Sequence, residues 1–454
     1  MRLGRDNRRQ REERLHGIDW PAVARSVERH LQILIGFDTT NPPGNELACV
    51  QYIADVLAEA GYDPIVLESA PQRGNVVARF KGTGEKPPLL IYGHVDVVTA
   101  EADKWRHPPF AADLDEGCVW GRGALDMKDM VAYEIQCMEL LARENPSLKR
   151  DVIFAATADE EVGGKLGAGW LVENHKDLIL AEYGLSEGAG STLQVAGKRF
   201  YGVRTAEKGS SRFALRAVGQ PGHGSIPKRE TSVHVLARAV EALYEHRLPL
   251  HLTQTTIRYA TTLAEAVGLD VSSGLTEAVL DDIASRLPSD LARSLQAVVR
   301  NTAVPTGLRA GTKINVIPSE AEAWVDARIV PGETPESLFR EVRAVIGDGC
   351  QITPIDEGLP QESEAGDALY QLIERVVQRH DPGSEVVPVM LSGATDARWV
   401  SRMGTKCLGF SPLALPQDFS TEGLVHGHDE RVPSAGLAWG AQVFYEIVRE
   451  FAAL

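Results

Sequence analysis

The stretch Leu89-Leu-Ile-Tyr-Gly-His-Val-Asp-Val-Val98 decides how the rest of this chain is interpreted. Its first four residues form an apolar run that is typical of a strand buried on both faces. Because side chains alternate along a strand, His94 and Asp96 should point in the same direction where it ends. A histidine beside a carboxylate can be a metal ligand with the group that orients it. A surface His and Asp would give the same short pattern, so the choice depends on the remaining sequence.

Short apolar runs alternate with helical patterns on both sides of this stretch. Helices are predicted from Asp19 to about Gly36, with a proline in the first turn, and over residues 127–144. Strands are predicted over residues 64–68, 75–80 and 152–156. This alternation predicts an α/β fold whose mixed, largely parallel sheet carries helices on both faces.

The pattern changes after about residue 206. Residues 212–218 alternate strictly between apolar and polar, as in an antiparallel strand with one wet face. Residues 312–317 and 321–330 are expected to form a hairpin, and residues 250–311 are helix-rich and polar without a clear order. The strand and helix order predicts an inserted α+β domain. The predicted domains are a tail at 1–18, a catalytic domain at 19–206 and 357–454, and the inserted domain at 207–356.

Composition and charge exclude some classes of partner. The net charge of −16 argues against a nucleic-acid partner, and no apolar run approaches the roughly 20 residues of a membrane span. The five cysteines are widely spaced and include no CxxC pair, which fits a reducing cytoplasm. The arginine-rich N-terminus lacks an apolar core, so we expect a solvated tail or an interaction arm and not a signal peptide.

Four further clusters of metal-ligand residue types follow along the chain, at predicted strand ends, at a helix start and near the C-terminus. They centre on Asp126, on the adjacent Glu160 and Glu161, on Glu187, and on His426. The negative charges of two adjacent glutamates repel each other unless a cation lies nearby. One glutamate can then bind the metal, and the other can act as a general base towards water. Each cluster alone could be a solvated loop, but their combination indicates a site.

Together these residues resemble the di-zinc exopeptidase and aminoacylase family, which includes carboxypeptidase G, succinyl-diaminopimelate desuccinylase, acetylornithine deacetylase and aminoacylase. The resemblance extends from about residue 26 to 446. It implies that one metal is held by His94, Asp126 and Glu187, and the other by Asp126, Glu161 and His426. It further implies that Glu160 is the general base and that Asp96 holds His94. The donor set by itself suits two zinc ions, with cobalt or manganese as alternatives.

The resemblance also assigns roles outside the ligand set. The inserted domain resembles the family's lid, which carries the dimer contact, and His223 resembles the histidine that stabilises the oxyanion. Asn315 and Arg328 resemble residues that hold the substrate carboxylate. The loop that contains Ser392 and Gly393 resembles the family's substrate loop.

Three of these assignments have alternatives. His428 could replace His426 as a ligand, although the motif favours His426. His223 could be an ordinary turn histidine. Arg328 could form an ion pair with its neighbour Asp326.

The predicted function is metal-dependent hydrolysis of an amide bond in a small molecule or short peptide that has a free carboxylate. A homodimer through the lid domain is expected from the resemblance. The alternatives are a di-metal phosphoesterase, for which no glycine-rich phosphate cradle is found, and a non-catalytic metal-binding protein of the same fold.

Overall fold

The computed structural model describes residues 17–421 and 423–454. The predicted tail at 1–18 lies outside the described residues except for its last two positions. The helices are α1 Trp20–Gly36, α2 Leu47–Glu59, α3 Lys128–Glu144, α4 Ala168–Asn174, α5 Lys176–Ile179, α6 Ser232–Glu245, α7 Gln254–Ala266, α8 Glu277–Ser285, α9 Ser289–Val298, α10 Pro335–Ile346, α11 Ala368–His380, α12 Ala397–Val400 and α13 Ser434–Ala453.

Short and long strands alternate with these helices. The strands are β1 Ile65–Ala70, β2 Arg73–Phe80, β3 Leu89–His94, β4 Leu114–Asp115, β5 Cys118–Trp120, β6 Val152–Thr157, β7 Tyr183–Ser186, β8 Thr192–Val195, β9 Lys198–Glu207, β10 Gly209–Ser210, β11 Phe213–Val218, β12 Gly222–His223, β13 Thr302–Ala310, β14 Val316–Ile317, β15 Glu320–Ile329, β16 Cys350–Pro354, β17 Gln361–Glu362, β18 Glu385–Leu391, β19 Lys406–Gly409 and β20 Arg431–Pro433.

The chain divides into two compact units. The first ends at Leu185 and resumes from Ser411 to Leu454, and the second covers Ser186–Phe410. The predicted inserted domain at 207–356 lies within the second unit, and its separate boundaries remain a prediction. The 17-residue α1 begins as predicted, because the Asp19 side chain accepts the Ala22 N–H at 3.1 Å.

The first unit contains a mixed sheet with the strand order β1, β2, β6, β3 and β7. Strand β3 runs parallel to β6 and β7, whereas β1 and β2 join antiparallel. All six residues of β3 are buried, as its apolar sequence predicts. A Cβ at Gly93 would lie 2.6 Å from the Met127 side chain and 3.0 Å from Val131, so this glycine lets α3 pack closely on β3.

The second unit contains two separate apolar cores, each formed by strands and the helices packed on them. Strand β9 pairs antiparallel with β8, β17 and β19 and parallel with β18. Helices α7, α8 and α9 share an apolar core with β9 and β18, in which Phe200, Leu263, Leu280 and Leu295 are buried. The polar stretch that the sequence left unordered therefore consists mainly of these helices.

Five antiparallel strands form a separate sheet, in which β15 pairs with β10, β11 and β13, and β11 also pairs with β16. Helices α6 and α10 pack against this sheet through one apolar core, which includes Leu236 and Leu338. In chain order the packed elements are β11, α6, β13, β15, α10 and β16, with α7, α8 and α9 between α6 and β13, so β13 takes the place of the strand that was expected at 312–317. The alternate burial of β11 and β15 confirms which faces were expected to be wet.

The predicted hairpin between residues 312–317 and 321–330 is wrong. Strand β15 pairs instead with β13, from Thr302 opposite Arg328 to Ala310 opposite Ala321. Pro305 and Gly307 hide β13 in the sequence because both residues are unusual inside strands, and the ladder shifts register between them. A Cβ at Gly307 would lie 2.5 Å from the Trp324 ring, which explains why glycine stands there.

The helices and the cysteines bear on the expectations drawn from composition. Within residues 17–421 and 423–454, every helix is too short or too polar to cross a bilayer. All five cysteines are buried and have free thiols.

Candidate metal centre

The first unit brings four of the predicted ligand side chains together around Asp126. His94 Nε2 lies 3.2 Å from Asp126 Oδ1, and His426 Nε2 lies 3.0 Å from Asp126 Oδ2. His426 Nε2 is also 3.2 Å from Glu161 Oε2. Each oxygen of the Asp126 carboxylate therefore faces a different imidazole, which is the arrangement that a bridging carboxylate needs.

The donor set and its spacing fit divalent metal ions. The ligand atoms of His94, Asp126 and Glu161 all lie within 4.8 Å of one another. Ligands bonded to a tetrahedral zinc at about 2.1 Å lie roughly 3.4 Å apart, close to the contacts measured here. In the part of the chain that the structure describes, no Lys or Arg pairs with Asp126 or Glu161, so the positive charge must come from elsewhere.

The electrostatics of the cluster also favour a cation. Hydrogen bonds with Asp126 and Glu161 raise the pKa of His426 to about 10. Burial favours the neutral form of Asp126, but hydrogen bonds with His426 and His94 keep the pKa of this carboxyl well below its usual range. The carboxylates thus favour a positive charge on the His426 imidazole, and a metal ion bound there would take the place of that proton.

Asp96 connects the two halves of the cluster. His94 Nδ1 lies 3.0 Å from the Asp96 main-chain oxygen and 3.5 Å from its carboxylate. Since a carbonyl oxygen only accepts, Nδ1 carries the proton and Nε2 is left as the metal-binding atom. The Asp96 carboxylate accepts the main-chain N–H groups of Glu160 at 3.0 Å and Glu161 at 3.1 Å. Asp96 therefore contacts both His94 and the two predicted functional glutamates.

Glu430 holds the segment that carries Asp126. Its carboxylate accepts the N–H groups of Gly123, Leu125 and Asp126, and Arg122 Nη1 lies 2.6 Å from it. Burial raises the pKa of Glu430 to about 7, and the Arg122 charge opposes this shift. Sequence reasoning missed this function of Arg122, although its place between two glycines was a signal of close packing.

The two candidate C-terminal histidines point to different partners. His426, at a backbone φ of +60°, contacts Asp126 and Glu161, whereas His428 Nε2 lies 3.1 Å from Glu101 Oε2 at the surface. The structure thus brings His426, and not His428, to the cluster.

Glu187 belongs to the second unit and follows β7 directly. Its main-chain oxygen accepts a hydrogen bond from Arg204 Nε at 2.9 Å. The Arg204 side chain packs closely on Gly188 and Gly409, because a Cβ at either glycine would lie within 2.6 Å of it. A buried arginine therefore fixes the backbone of Glu187. The function of Glu187 as a metal ligand remains a prediction.

His223 and Asn315 are neighbours in the second unit. Strands β12 and β14 pair, and the Gly224 N–H donates to the Asn315 main-chain oxygen at 2.8 Å. His223 is exposed, and its Nδ1 accepts the Ser225 N–H at 3.2 Å. In the neutral ring the proton therefore sits on Nε2, which makes Nε2 a hydrogen-bond donor.

The other predicted substrate residues lie elsewhere in the second unit. Arg328 Nε and Nη2 donate to Asp326 at 2.7 and 3.1 Å, so the alternative ion pair is present. Ser392 and Gly393 follow β18 in a loop that hydrogen bonds from Thr395 to the buried Glu207 hold in place.

Comparisons with known proteins identify the family. The family model described as Peptidase family M20/M25/M40 matches residues 90–450. This chain belongs to the M20/M25/M40 peptidase family. Probable carboxypeptidase S-like 2 of Dictyostelium discoideum is 30% identical over 397 residues, which cover 83% of this chain and 74% of that protein. The mouse N-fatty-acyl-amino acid synthase/hydrolase PM20D1 is 30% identical over 81% of this chain and 76% of its own length. Human aminoacylase-1 is 24% identical over 92% of this chain and 93% of its length.

Solved M20 structures share the fold. The M20 metallo-carboxypeptidase Sso-CP2 of Sulfolobus solfataricus has a TM-score of 0.70 at 18% identity, over 93% of this chain and 98% of that one. The Bacillus subtilis YXEP protein, described as a dinuclear metal-binding peptidase, has a TM-score of 0.60 at 15% identity, over 96% and 100%. The predicted family and the mixed α/β fold class are thus confirmed. This M20 chain is a hydrolase of amide bonds, as its sequence predicted.

Proposed function

We propose that this M20 hydrolase cleaves the amide bond of N-acyl-amino acids, or of the C-terminal residue of a short peptide, with two zinc ions. The observation that supports the proposal most strongly is the placement of the two Asp126 carboxylate oxygens against two different imidazoles. His94, Asp126 and Glu187 would hold one ion, and Asp126, Glu161 and His426 the other. Cobalt or manganese would suit the same donors.

The side chains of this M20 protein would then divide the reaction between them. The bound ions would supply Lewis acidity towards the amide carbonyl and towards a water molecule. Glu160 would take the proton from that water and later deliver it to the departing amine. His223 Nε2, as a donor, would stabilise the charge that develops on the carbonyl oxygen. The main-chain N–H of Glu160 donates a hydrogen bond to the Asp96 carboxylate, which holds Glu160 in place for this task.

A free carboxylate on the substrate would be selected by polar groups of the second unit. Asn315 offers an exposed amide, and Ser392 and Gly393 lie in a loop held by Glu207. Arg328 would bind the carboxylate through its remaining Nη1 group, or by exchange with Asp326, because Nε and Nη2 already donate to Asp326.

The relatives favour an N-acyl-amino acid as the first substrate class to examine. Several relatives named N-fatty-acyl-amino acid synthase/hydrolase are 27–30% identical to this chain, and aminoacylase-1 is named for the same linkage. The carboxypeptidase-like relative and the metallo-carboxypeptidase structure support the peptide alternative.

Assembly and compartment are parts of the same proposal. The apolar side chains of Ile226 and Ile314, close in sequence to His223 and Asn315, are exposed, which supports a partner surface on this part of the lid. We propose a homodimer through the lid. The five cysteines are buried and form no disulfide, which supports a reducing cytoplasm.

A substrate panel with one active-site variant tests the function. N-acetyl, N-octanoyl and N-oleoyl amino acids, dipeptides and an aryl phosphate are each assayed with added Zn²⁺, Co²⁺ or Mn²⁺. Glu160→Gln should lower kcat by roughly 10²- to 10⁴-fold, the range of a lost general base, while the zinc content stays unchanged. Glu173→Gln, at an exposed position of α4, is the matched control. Retained turnover in Glu160→Gln would refute the base assignment, and turnover of the aryl phosphate alone would refute the proposed reaction.

A further inference from the structure

A buried polar network lies behind the two functional glutamates in the first unit. Arg73, at the start of β2, is 7% exposed, and Glu46 is fully buried. Arg73 Nε and Nη2 donate to the two oxygens of Glu46, each at 2.8 Å. This bidentate pair balances the charge of the buried guanidinium. Its remaining donors are therefore available for other groups.

The second acceptor of Arg73 is Asp159, the residue that precedes Glu160. Arg73 Nη2 lies 2.9 Å from Asp159 Oδ1. The same oxygen accepts Asn41 Nδ2 at 3.3 Å, and Asp159 Oδ2 accepts the Leu166 N–H at 3.0 Å. Three separate segments of the chain thus bind one carboxylate.

The backbone of Asp159 shows why such anchoring is needed. Its φ is +73°, in the left-handed region that L-residues rarely adopt, and Glu160 follows at once in a short 3₁₀ turn. A non-glycine residue keeps this conformation only when its surroundings hold it. The left-handed turn sets the direction in which Glu160 and Glu161 leave β6.

Asn41 joins this network to Asp96. Its Nδ2 group donates to Asp96 Oδ2 at 2.8 Å as well as to Asp159. Gly44, at φ +84°, lets the 41–46 loop wrap the arginine, because a Cβ there would lie 2.3 Å from the guanidinium carbon of Arg73. The side chain of Asp159 and the N–H groups of both glutamates are therefore held by connected groups.

We propose that Arg73 is a positioning residue for Glu160 and Glu161. Its guanidinium, balanced by Glu46, holds the Asp159 carboxylate and so keeps the left-handed turn that aims the general base and the adjacent metal ligand. The inference rests on the proposed functions of Glu160 and Glu161. Arg73 acts on the two glutamates through the Asp159 carboxylate.

The test compares Arg73→Met with Arg79→Met in the full-length protein. Arg79 lies on the same strand and pairs with Asp151 at 2.9 Å, which makes its variant a matched control for the loss of a paired arginine. Zinc affinity is measured by competition with a chelating indicator, and kcat and KM are measured on the best substrate of the panel. Arg73→Met should weaken the affinity for one zinc ion by about 10- to 100-fold, as for other supports of metal ligands. It should lower kcat at least about tenfold with KM within about twofold, while Arg79→Met changes neither.

Two further variants separate positioning from general stability. Asp159→Gly can adopt the left-handed backbone without strain but lacks the anchor, so it should lose zinc affinity as Arg73→Met does. Because both changes break the same link, Arg73→Met combined with Asp159→Gly should be no worse than either alone. Arg73→Lys, which keeps the charge but not the fork, should recover part of the affinity.

The outcomes are distinct from those of the functional test. Folded Arg73→Met with zinc affinity and kcat within about twofold of the parent would overturn the proposal, as would additive losses in the double variant. Zinc competition needs no turnover, so it decides the question even if no substrate of the panel is cleaved. If Arg73→Met does not fold, Asp159→Gly decides, and its retention of full zinc affinity would equally overturn the proposal.

Discussion

Asp126 shows how much one residue of this protein must be held to do its task. Its carboxylate contacts His94 and His426 on opposite oxygens, and its main-chain N–H donates to Glu430 at 3.2 Å. His426 and Glu430, which lie about 300 positions from Asp126 in the sequence, thus help to fix its side chain and its backbone. A carboxylate held in this way would lose little further freedom on bridging the two proposed ions.

The choice between His426 and His428 can be tested with a matched pair of variants. His426→Ala removes an imidazole that lies 3.0 Å from Asp126, so it should lose one zinc ion per chain and lower kcat/KM by more than about 100-fold. His428→Ala removes a surface contact with Glu101 and should keep both properties within about twofold. Zinc is counted after dialysis. Equal losses in both variants would contradict the assignment of His426.

A second residue-scale prediction concerns Asp129, in the first turn of α3. It is fully buried, and burial raises the pKa of its carboxyl to about 8, with the Glu430 and Asp126 charges adding to the shift. Below about pH 4 the carboxyl is protonated in both the folded and the unfolded chain. As the pH rises towards 8 the unfolded chain releases a proton that the folded one retains, so stability falls across this window.

Asp129→Asn cannot ionise and should escape this loss. The stability of the variant relative to the parent should rise by roughly 2–4 kcal/mol between pH 5 and pH 8 in chelator-treated protein. Urea unfolding at both pH values measures it, with Asp63→Asn at an exposed carboxyl as control. A difference that stays constant with pH would contradict the prediction.

Sequence reasoning found the residues near strand ends, including the supporting Asp96, but not the two arginines that support them from distant parts of the chain. His94, Glu160 and Glu161 directly follow or end apolar runs, so a local pattern locates them. Arg73 and Arg122 are buried, and each pairs with a carboxylate that is distant in the sequence. The local sequence around a single arginine does not show whether that arginine is buried or exposed. Only the fold reveals such pairs.

At the scale of elements, local patterns predicted what local packing decides. The burial of β3, the cap of α1 and the wet face of β11 follow from three to ten consecutive residues. The pairing of β13 with β15 does not, because Pro305 and Gly307 break the strand pattern and only the neighbouring strand supplies the missing contacts.

Close packing of α3 on β3 gives an element-scale prediction. Gly93→Ala would put a Cβ 2.6 Å from Met127 and 3.0 Å from Val131, so it should destabilise the fold by about 1–3 kcal/mol through overpacking. Gly36→Ala, at the end of α1 with nothing within 4 Å of its Cβ, should lie within about 1 kcal/mol of the parent or be more stable. Chemical unfolding compares the two. A Gly93→Ala protein as stable as Gly36→Ala would show that α3 can move away from β3.

At the scale of the whole molecule, the candidate centre combines residues from two segments of the chain that are far apart in sequence. The first unit is completed by Ser411–Leu454, which returns after the entire second unit and carries both His426 and Glu430. From the change of strand pattern near residue 206 the sequence predicts an inserted domain at 207–356, a range that lies within the second unit and whose boundaries remain a prediction. The passage at residues 185 and 186 lies instead in a glycine-rich stretch that includes Gly184, Gly188 and Gly190, about 20 residues before the change of strand pattern.

The proposed dimer gives the last prediction, because the exposed His223 could serve the centre of its own chain or that of its partner. Glu160→Ala and His223→Ala should each be nearly inactive alone. If His223 acts across the dimer, a mixed dimer contains one centre with both residues intact. An equimolar mixture after subunit exchange should then regain about a quarter of the parent activity, since half of the dimers are mixed.

The alternative outcome of that mixing is equally clear. If His223 serves its own chain, each centre of a mixed dimer lacks one of the two residues, and mixing restores nothing. Sedimentation velocity on the parent and on the mixture shows whether dimers form and exchange. A fully active monomer would remove the cross-subunit function of His223, because no partner would then be present to supply the Nε2 donor that the Ser225 contact prepares.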